Sequence, residues 1–282
     1  MKKNLLIAAL TIFGCATGFA QETGTQKKDI DATADTWVRM NNTTDKNGAK
    51  PTLEIWTGYN ADNEVTADFV GLMSFTIPDD IKGGITKATL VLFADCVKGN
   101  GVLDIHPFKT EFEENEHYGT YADAIAEARK TTLYSQKLNG KSGSSVTDVK
   151  ADDETYNKLE SWKNEYDMTK YVKSLSDNYV GFLFTHDAGE INNNGRCVKI
   201  YTKEATDVKR KGTDEVIFKG SDLVPKLIVE YTTATGINEV ETVEPVAKGK
   251  EGIYTLSGVR VAKADQPGIY IINGKKVMVG RK

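Results

Sequence analysis

Short runs in which apolar and polar residues alternate dominate residues 31–231 of this sequence. Leu53 and Ile55, for example, alternate with Glu54 and Trp56. A period of two is the pattern of a β-strand with one buried face, because successive side chains of a strand point to opposite faces of the sheet. The runs are short and are separated by turns rich in Gly, Asn and Pro, so the pattern predicts many short strands.

One run is apolar on both of its faces. Within residues 88–97, Leu90 and Leu92 fall on one face and Val91 and Phe93 on the other, as expected of a central strand that is covered on both sides. The sequence pattern does not alternate strands with long helices, which favours antiparallel over parallel α/β architecture. We predict an all-β fold, a jelly-roll-like antiparallel β-sandwich with minor helices, over residues 28–233.

Two segments of the sandwich are predicted to be helical. Residues 121–130 are rich in Ala and Glu, and Asp167 can cap a turn whose apolar residues recur with helical spacing, namely Met168, Tyr171, Val172 and Leu175. Ser, Gly and Asp cluster in residues 139–154, which predicts an exposed loop.

The first twenty residues have the pattern of a signal peptide. Lys2 and Lys3 precede an apolar run of about ten residues, too short for a bilayer that requires roughly 20, and small residues lead up to Ala20. Residues 1–20 are therefore predicted to be removed on export. Cleavage before Cys15 with lipid attachment is the alternative, although Phe13 stands where lipoprotein signals carry a small residue.

The composition changes after residue 233. Residues 234–250 have no turn-bounded apolar runs and are predicted to be a linker. In residues 251–282, the dipeptides Ser257-Gly258 and Asn273-Gly274 separate short apolar runs, and Asn-Gly is the preferred sequence of a type I′ hairpin. The pattern predicts a small C-terminal β-hairpin module of about 30 residues, which would bury too little apolar surface to be strongly stable alone.

Charge excludes one class of partner. Residues 21–247 hold 26 basic and 38 acidic residues, a net charge of −12, whereas nucleic acids are bound through clustered Lys and Arg. We therefore expect no nucleic-acid partner. Without the signal peptide, Cys96 and Cys197 are the remaining cysteines, and both a single disulfide and two buried thiols are compatible with the pattern.

Several segments together resemble the DNRLRE domain, which is also classed as carbohydrate-binding module family 96. The similar segments are, in chain order, ADTWVR (34–39), PTLEI (51–55), GLMSFTIP (71–78), ITKATL (85–90), YDMTKYV (166–172), YTKEA (201–205) and PKLIVEY (225–231). The resemblance covers residues 30–231 and implies a β-sandwich that binds polysaccharide, alginate in the best-known case. Met73-Ser74 departs from the family, which usually has Leu-Arg there.

In the C-terminal module, the segments GIYTLSGVRV (252–261) and PGIYIINGKKV (267–277) are similar to a shortened C-terminal sorting domain of type IX secretion. This resemblance implies that the secretion machinery of a Gram-negative bacterium is a partner, and that the protein is secreted or held at the cell surface. A simple basic β-hairpin appendage is the alternative.

Candidate ligand-binding residues are aromatic rings and planar or charged hydrogen-bonding groups near them. A ring can stack on the apolar face of a pyranose, and a guanidinium suits a carboxylate. The candidates are Trp37, Arg39, Lys50, Trp56, Tyr59, Arg196 and Lys203. We expect Trp37 and Arg39 to share one strand face, with Trp37 buried and Arg39 in a structural ion pair. If that face is open instead, the ring and the guanidinium can bind a uronate. The acidic body favours a neutral or weakly charged glycan and leaves uronate-containing ones open.

A structural calcium ion stays open as well, since calcium binds six to eight oxygens. Oxygen-rich turns occur at residues 60–64, 79–80, 152–154 and 187–194, although none fits an Asp-x-Asp-x-Asp-Gly loop. No cofactor is otherwise expected.

Catalytic motifs are not found. The sequence holds neither Gly-x-Ser-x-Gly nor His-Glu-x-x-His, and its three histidines are explained as exposed side chains. We predict a non-catalytic protein that binds polysaccharide. The alternatives are a structural or adhesive surface protein that contacts other proteins and, third, a polysaccharide lyase.

Overall fold

The computed structural model describes residues 24–60, 62, 64–190, 197–232, 252–256, 258–273 and 275–280. These residues form two compact units, residues 24–232 and residues 252–280. The predicted signal peptide, the predicted linker and Arg196 lie outside the described residues. No helix in the described part of the chain is long and apolar enough to cross a bilayer.

The larger unit is built mainly from strands. They are β1 Thr25–Asp31, β2 Ala34–Arg39, β3 Thr52–Tyr59, β4 Val65–Thr76, β5 Ile85–Val97, β6 Val102–Pro107, β7 Tyr134–Lys137, β8 Ser144–Ser145, β9 Lys163–Asp167, β10 Tyr179–Thr185, β11 Asp187–Glu190, β12 Val198–Tyr201, β13 Val208–Lys209, β14 Val216–Phe218 and β15 Lys226–Thr232. The helices are α1 Asp79–Lys82, α2 Tyr118–Ala128 and α3 Thr169–Lys173, and 3₁₀ turns cover Val146–Asp148, Leu159–Trp162 and Gly220–Asp222.

Thirteen of these strands form one curled sheet, in the order β1-β15-β5-β12-β3-β4-β10-β6-β7, with β11 beside β3, β2 beside β4, and β8 and β9 beside β5. Among the described strands, β11 pairs with β3 in parallel and the other pairs are antiparallel. Strand β3 pairs with β12 through its first half and with β4 through its second. The predicted all-β, sandwich-like fold is confirmed.

The main hydrophobic core lies between the layers of the curled sheet. Strand β5 contributes to it from both faces, as its sequence predicts, since Leu90, Val91, Leu92 and Phe93 are all buried. Trp162 is fully buried in the same core and donates its indole N–H to the carbonyl of Tyr156 at 2.7 Å.

A second, smaller core lies beneath α2. Val38, Val70 and Leu72 from β2 and β4 pack there with Ile125 and Tyr121 of the helix. Trp37 and Arg39 flank Val38 in β2. Because side chains alternate along a strand, theirs lie on the opposite face of the sheet.

The predicted helices are present with small shifts. The N-cap of α3 is Met168 and not the predicted Asp167, whose carboxylate accepts the N–H of Thr169 at 2.9 Å from one position earlier. The prediction that residues 139–154 are an exposed loop is wrong in part, because Val146 and Val149 are buried in the main core. The chain folds back over Trp162 at Gly140, where φ is +137° and an added Cβ would lie 2.9 Å from the indole.

The smaller unit is an antiparallel sheet of four short strands. They are β16 Ile253–Thr255, β17 Arg260–Val261, β18 Gly268–Ile272 and β19 Lys275–Val279, in the order β17-β16-β18-β19. Asn273 has a φ of 52° between β18 and β19, as the predicted hairpin requires. Tyr270 is the buried side chain of this sheet, and its hydroxyl donates to the carbonyl of Gln266 at 3.0 Å.

Candidate functional site

Three adjacent strands bring the predicted aromatic residues together. Strand β4 pairs with β2 on one side and β3 on the other, and Phe69 lies opposite both Arg39 and Trp56. Directly opposed residues in an antiparallel sheet share a face and have close Cβ atoms. The side chains of Arg39, Phe69 and Trp56 therefore form a row across the three strands.

The rings in this region are stacked on one another. The centroids of Trp56 and Phe69 are 4.7 Å apart with an angle of 21° between their planes. Those of Trp37 and Phe69 are 5.6 Å apart with an angle of 26°. All three side chains are partly exposed. We call Trp37, Phe69 and Trp56 the aromatic stack.

Stacking decides which surfaces a ligand can reach. The faces turned toward Phe69 are occupied, and Trp37 also packs against the main core. The indole nitrogen of Trp37 is buried and has no hydrogen-bond partner among the described residues. Trp56 is therefore the ring with the best access for a ligand.

A guanidinium group lies beside the stack. The Arg39 side chain has its central guanidinium carbon 5.6 Å from the Phe69 ring centroid, within the range of a cation–π contact. Its Nη2 also forms an ion pair with Asp45 at 3.0 Å, and the Arg39 side chain remains 39% exposed. The expected shared face with Trp37 and the expected ion pair are both present, whereas Trp37, which we expected to be buried, is partly exposed.

The loop that carries Asp45 is anchored to the same strand. Asn47 is buried and donates its amide to the carbonyl of Trp37 at 2.9 Å. Asn42 accepts the backbone N–H groups of Thr44 and Asp45 at 2.8 and 2.7 Å. These bonds hold the loop, and with it the partner of Arg39, in a fixed position.

The other predicted ligand-binding residues are not part of this row. Tyr59 lies at the end of β3 opposite Val65, and Lys50 is exposed before β3, with its carbonyl accepting the hydroxyl of Thr202 at 2.6 Å. Lys203 pairs with two glutamates, as described below. Arg196 lies outside the described residues.

Phe69 is the member of the stack that the sequence pattern did not single out. It lies two residues before the GLMSFTIP segment, in the alternating run of β4. The alternation places it on the face of Gly71, which could have pointed to it. Its contact with both indoles, however, follows from the pairing of β4 with β3, the strand directly before it, on one edge and with the earlier strand β2 on the other.

A carboxylate cluster lies next to the stack along β2. Asp35, Glu114 and Glu204 each offer an oxygen, and these oxygens lie within 4.8 Å of one another. Asp35 is fully buried, and burial, more than the neighbouring Glu204 carboxylate, raises the pKa of Asp35 to about 8. Such a donor set consists of hard oxygens of the kind that calcium prefers.

Two of the oxygen-rich turns considered in the sequence use their oxygens locally, whereas the carboxylate of Asp79 accepts the side-chain amide of Asn178 from a distant part of the chain. The side-chain oxygen of Asn60 accepts the N–H groups of Asp62 and Glu64 at 3.0 and 2.8 Å. Asp153 accepts two backbone N–H groups and the ammonium of Lys141 at 3.1 Å. These turns are closed by their own hydrogen bonds.

The expectation that the histidines are exposed is wrong for His106 and His186, which are both buried. The ring of His106 bridges the carbonyl of Thr131 and the hydroxyl of Thr185, each at 2.9 Å. Burial lowers the pKa of His106, so its neutral form is favoured and connects two chain segments. His117 is partly exposed and lies 4.0 Å from Glu116.

The two cysteines are neighbours. The Sγ atom of Cys96 lies 3.9 Å from the carbonyl oxygen of Cys197, and both residues are free thiols. Cys96 is buried and Cys197 partly exposed. Interaction with the Cys96 thiol lowers the pKa of Cys197 to about 7.

No protein-family model matches this sequence, and no curated protein sequence matches it significantly. The resemblance to the DNRLRE domain rests on its motifs. In the structure the ADTWVR segment forms β2. The YTKEA segment lies beside it, and the backbone N–H of its Lys203 donates to the carboxylate of Asp35 at 2.8 Å.

Proposed function

We propose that this protein is an exported, non-catalytic polysaccharide-binding protein, and that the aromatic stack with Arg39 is its glycan-binding surface. The observation that carries this proposal is the fixed group of two partly exposed indoles around Phe69, with a partly exposed guanidinium beside it. The motif resemblance supports the same function.

The geometry suits a sugar because its rings are oriented before a ligand arrives. A pyranose presents apolar C–H groups that contact an aromatic surface, and hydroxyl groups that need polar partners at its margin. Trp56 supplies the aromatic surface and Arg39 the hydrogen-bond donors. Since Phe69 holds Trp56 in place, little side-chain entropy is lost on binding.

Charge favours a neutral or weakly charged glycan. Two lysines that could extend a basic surface are neutralised, because Lys199 pairs with Glu54 and Lys203 with Glu114 and Glu204. Lys50 is exposed. Arg39 is the cation that contacts the stack, and Asp45 already neutralises part of its charge. A single uronate carboxylate could replace Asp45, whereas a densely charged polyanion would meet the net negative body.

Binding without catalysis is part of the proposal. The buried His106 is held by Thr131 and Thr185, where it serves to connect chain segments. The signal-peptide pattern and the sorting-like C-terminal module support export by a Gram-negative cell, with type IX secretion as the route. The site of action is then outside the cell or at its surface.

Affinity electrophoresis against a panel of neutral and uronate-containing polysaccharides tests the function. Retention by at least one glycan is expected, and Trp56→Ala should weaken it roughly ten- to hundredfold, the effect of losing a buried aromatic contact. Arg39→Ala should weaken binding of uronate-containing glycans more than that of neutral ones.

Tyr254→Ala is the matched control, because this partly exposed ring lies in the smaller unit. It should leave retention unchanged. Thermal unfolding of each variant shows whether the fold is intact. Retention by no glycan would contradict the proposal and favour the adhesive alternative, and release of unsaturated uronate from alginate or pectin would contradict the non-catalytic part.

A further inference from the structure

Two carboxylate oxygens in the carboxylate cluster are buried without a hydrogen-bond donor. They are Oδ1 of Asp35 and Oε2 of Glu204, and neither has a partner among the described residues. Asp35 is fully buried and its carboxylate is directed into the cluster, since one of its oxygens lies within 4.8 Å of the oxygens of Glu114 and Glu204. An oxygen acceptor that is buried without a partner is unfavourable, and native structures rarely retain one.

The donors near these oxygens are already used by others. The N–H of Lys203 donates to Oδ2 of Asp35 at 2.8 Å, and the N–H of Asp35 donates to Oε1 of Glu114 at 3.0 Å. The Lys203 ammonium contacts Oε1 of Glu114 at 2.9 Å and Oε1 of Glu204. Either a proton shared between Asp35 and Glu204 or a cation can satisfy the two remaining oxygens.

Charge and distance favour a divalent cation. Three carboxylates and one ammonium leave a formal charge of −2 when all four groups are ionised, which one divalent ion neutralises. Calcium binds oxygens at about 2.3–2.6 Å, so two of its ligands are at most about 5 Å apart. The 4.8 Å limit of the cluster meets this condition. Magnesium binds at about 2.0–2.1 Å in a stricter octahedron, so it requires the carboxylate oxygens to lie closer together than calcium does.

We propose that a calcium ion binds between Asp35, Glu114 and Glu204. Each residue supplies one carboxylate oxygen, and water completes the coordination on the partly exposed side of the two glutamates. The ion joins β2, the segment that precedes α2 and the turn after β12, which are three distant parts of the chain. Asp35 lies two residues before Trp37 on the same face of β2, so the ion also stiffens the strand that carries the aromatic stack.

Lys203 gives the proposal a distinctive signature. Its ammonium binds the Oε1 atoms of Glu114 and Glu204, and its positive charge opposes a cation at the same carboxylates. Removing this charge should increase calcium affinity. With a shared proton and no cation, the same change would leave a larger unbalanced negative charge and would give no response to calcium.

Calorimetric titration and thermal unfolding of the chelator-treated, full-length protein test the proposal, with calcium chloride as the probe and no glycan present. One calcium ion per chain is expected to bind, and the Tm should rise by roughly 5 to 10 °C when calcium exceeds its Kd about 100-fold. Magnesium chloride at equal concentration should raise the Tm less.

Variants show whether the cluster is the site. Glu204→Gln should abolish binding, Asp35→Asn should do the same if it folds, and Lys203→Met should bind calcium at least several-fold more tightly than wild type. Glu160→Gln, which removes an exposed carboxylate outside the cluster, should bind as wild type does.

Three results would overturn the calcium site. They are a wild-type Tm that calcium does not change, a Glu204→Gln variant that binds calcium normally, and a Lys203→Met variant that is destabilised and does not respond to calcium. The last result would indicate a shared proton. Because glycan retention is measured separately through Trp56, failure of the calcium site leaves the proposed function untouched.

Discussion

Phe69 lies at the centre of the aromatic stack, and its replacement by alanine tests the geometry on which the proposed function rests. The change removes the ring that separates Trp37 from Trp56 and on which Arg39 packs. Each aromatic pair contributes about 0.5–1.5 kcal/mol beyond its buried area. An exposed cation–π contact adds about 0.5–1 kcal/mol.

The three contacts together amount to about 1.5–4 kcal/mol in the free energy of unfolding. Because the stack is partly exposed and the neighbouring rings can move into the gap, we expect Phe69→Ala to cost about 2–3 kcal/mol. For a unit of this size, that corresponds to a decrease in Tm of roughly 4–12 °C.

Urea unfolding followed by tryptophan fluorescence is the appropriate assay. The tryptophans are Trp37, Trp56 and Trp162, and all three belong to the larger unit, so the signal reports the unfolding of that unit alone. Val65→Ala is the control on the same strand, because Val65 is 40% exposed and its truncation should change stability by less than about 0.5 kcal/mol.

A double-mutant cycle isolates the ring contact from the loss of buried area. Phe69→Leu and Trp56→Leu are compared singly and together, and a coupling free energy of about 0.5–1.5 kcal/mol is expected for stacked rings. A coupling within about 0.3 kcal/mol of zero would refute the stacked arrangement, since additivity is the behaviour of residues that do not touch.

Three further predictions concern the rest of the larger unit. Burial lowers the pKa of His106 below its ordinary value of 6.5, so the folded state favours the neutral ring and loses stability as the pH falls below 6.5. In urea unfolding, the stability advantage of wild type over His106→Gln should therefore shrink between pH 7.5 and 5.5. A difference that stays constant with pH would contradict this. Cys96 lowers the pKa of the Cys197 thiol to about 7. Iodoacetamide should therefore alkylate Cys197 with a midpoint near pH 7, and Cys96 more slowly. If mass spectrometry showed that Cys96 is modified first, the lowered pKa of Cys197 would be contradicted. Gly181→Ala should destabilise the protein by about 1–3 kcal/mol, because the new Cβ would lie 2.1 Å from the carbonyl oxygen of Phe108. Gly119→Ala in α2 has open space around it and should be neutral or stabilising by up to about 1 kcal/mol. Equal effects of the two variants in thermal unfolding would be inconsistent with the packing.

The sequence by itself determined the architecture. Alternation identified β5 as a strand apolar on both faces, and the structure buries Leu90 and Val91 on its two sides. Helical spacing identified α3, and Asn273 indicated the hairpin between β18 and β19. These features are readable because the period of the backbone and the φ preferences of individual residues are local properties.

Local patterns gave a less complete account of burial. The polar composition of residues 139–154 predicted exposure, yet Val146 and Val149 enter the core. His106 and His186 are likewise buried, since neighbouring segments offer them hydrogen-bond partners. Composition describes how well a segment tolerates water, whereas burial depends on which other segment covers it.

Only the tertiary structure decided what the functional residues are next to. Arg39 and Trp56 become neighbours because β2 and β3 pair with opposite edges of β4, which inserts Phe69 between them. Asp35 meets Glu114 across a separation of 79 residues. Neither contact leaves a periodic trace in the chain, because strand pairing is settled by the packing of the whole sheet and can join segments at any distance in sequence.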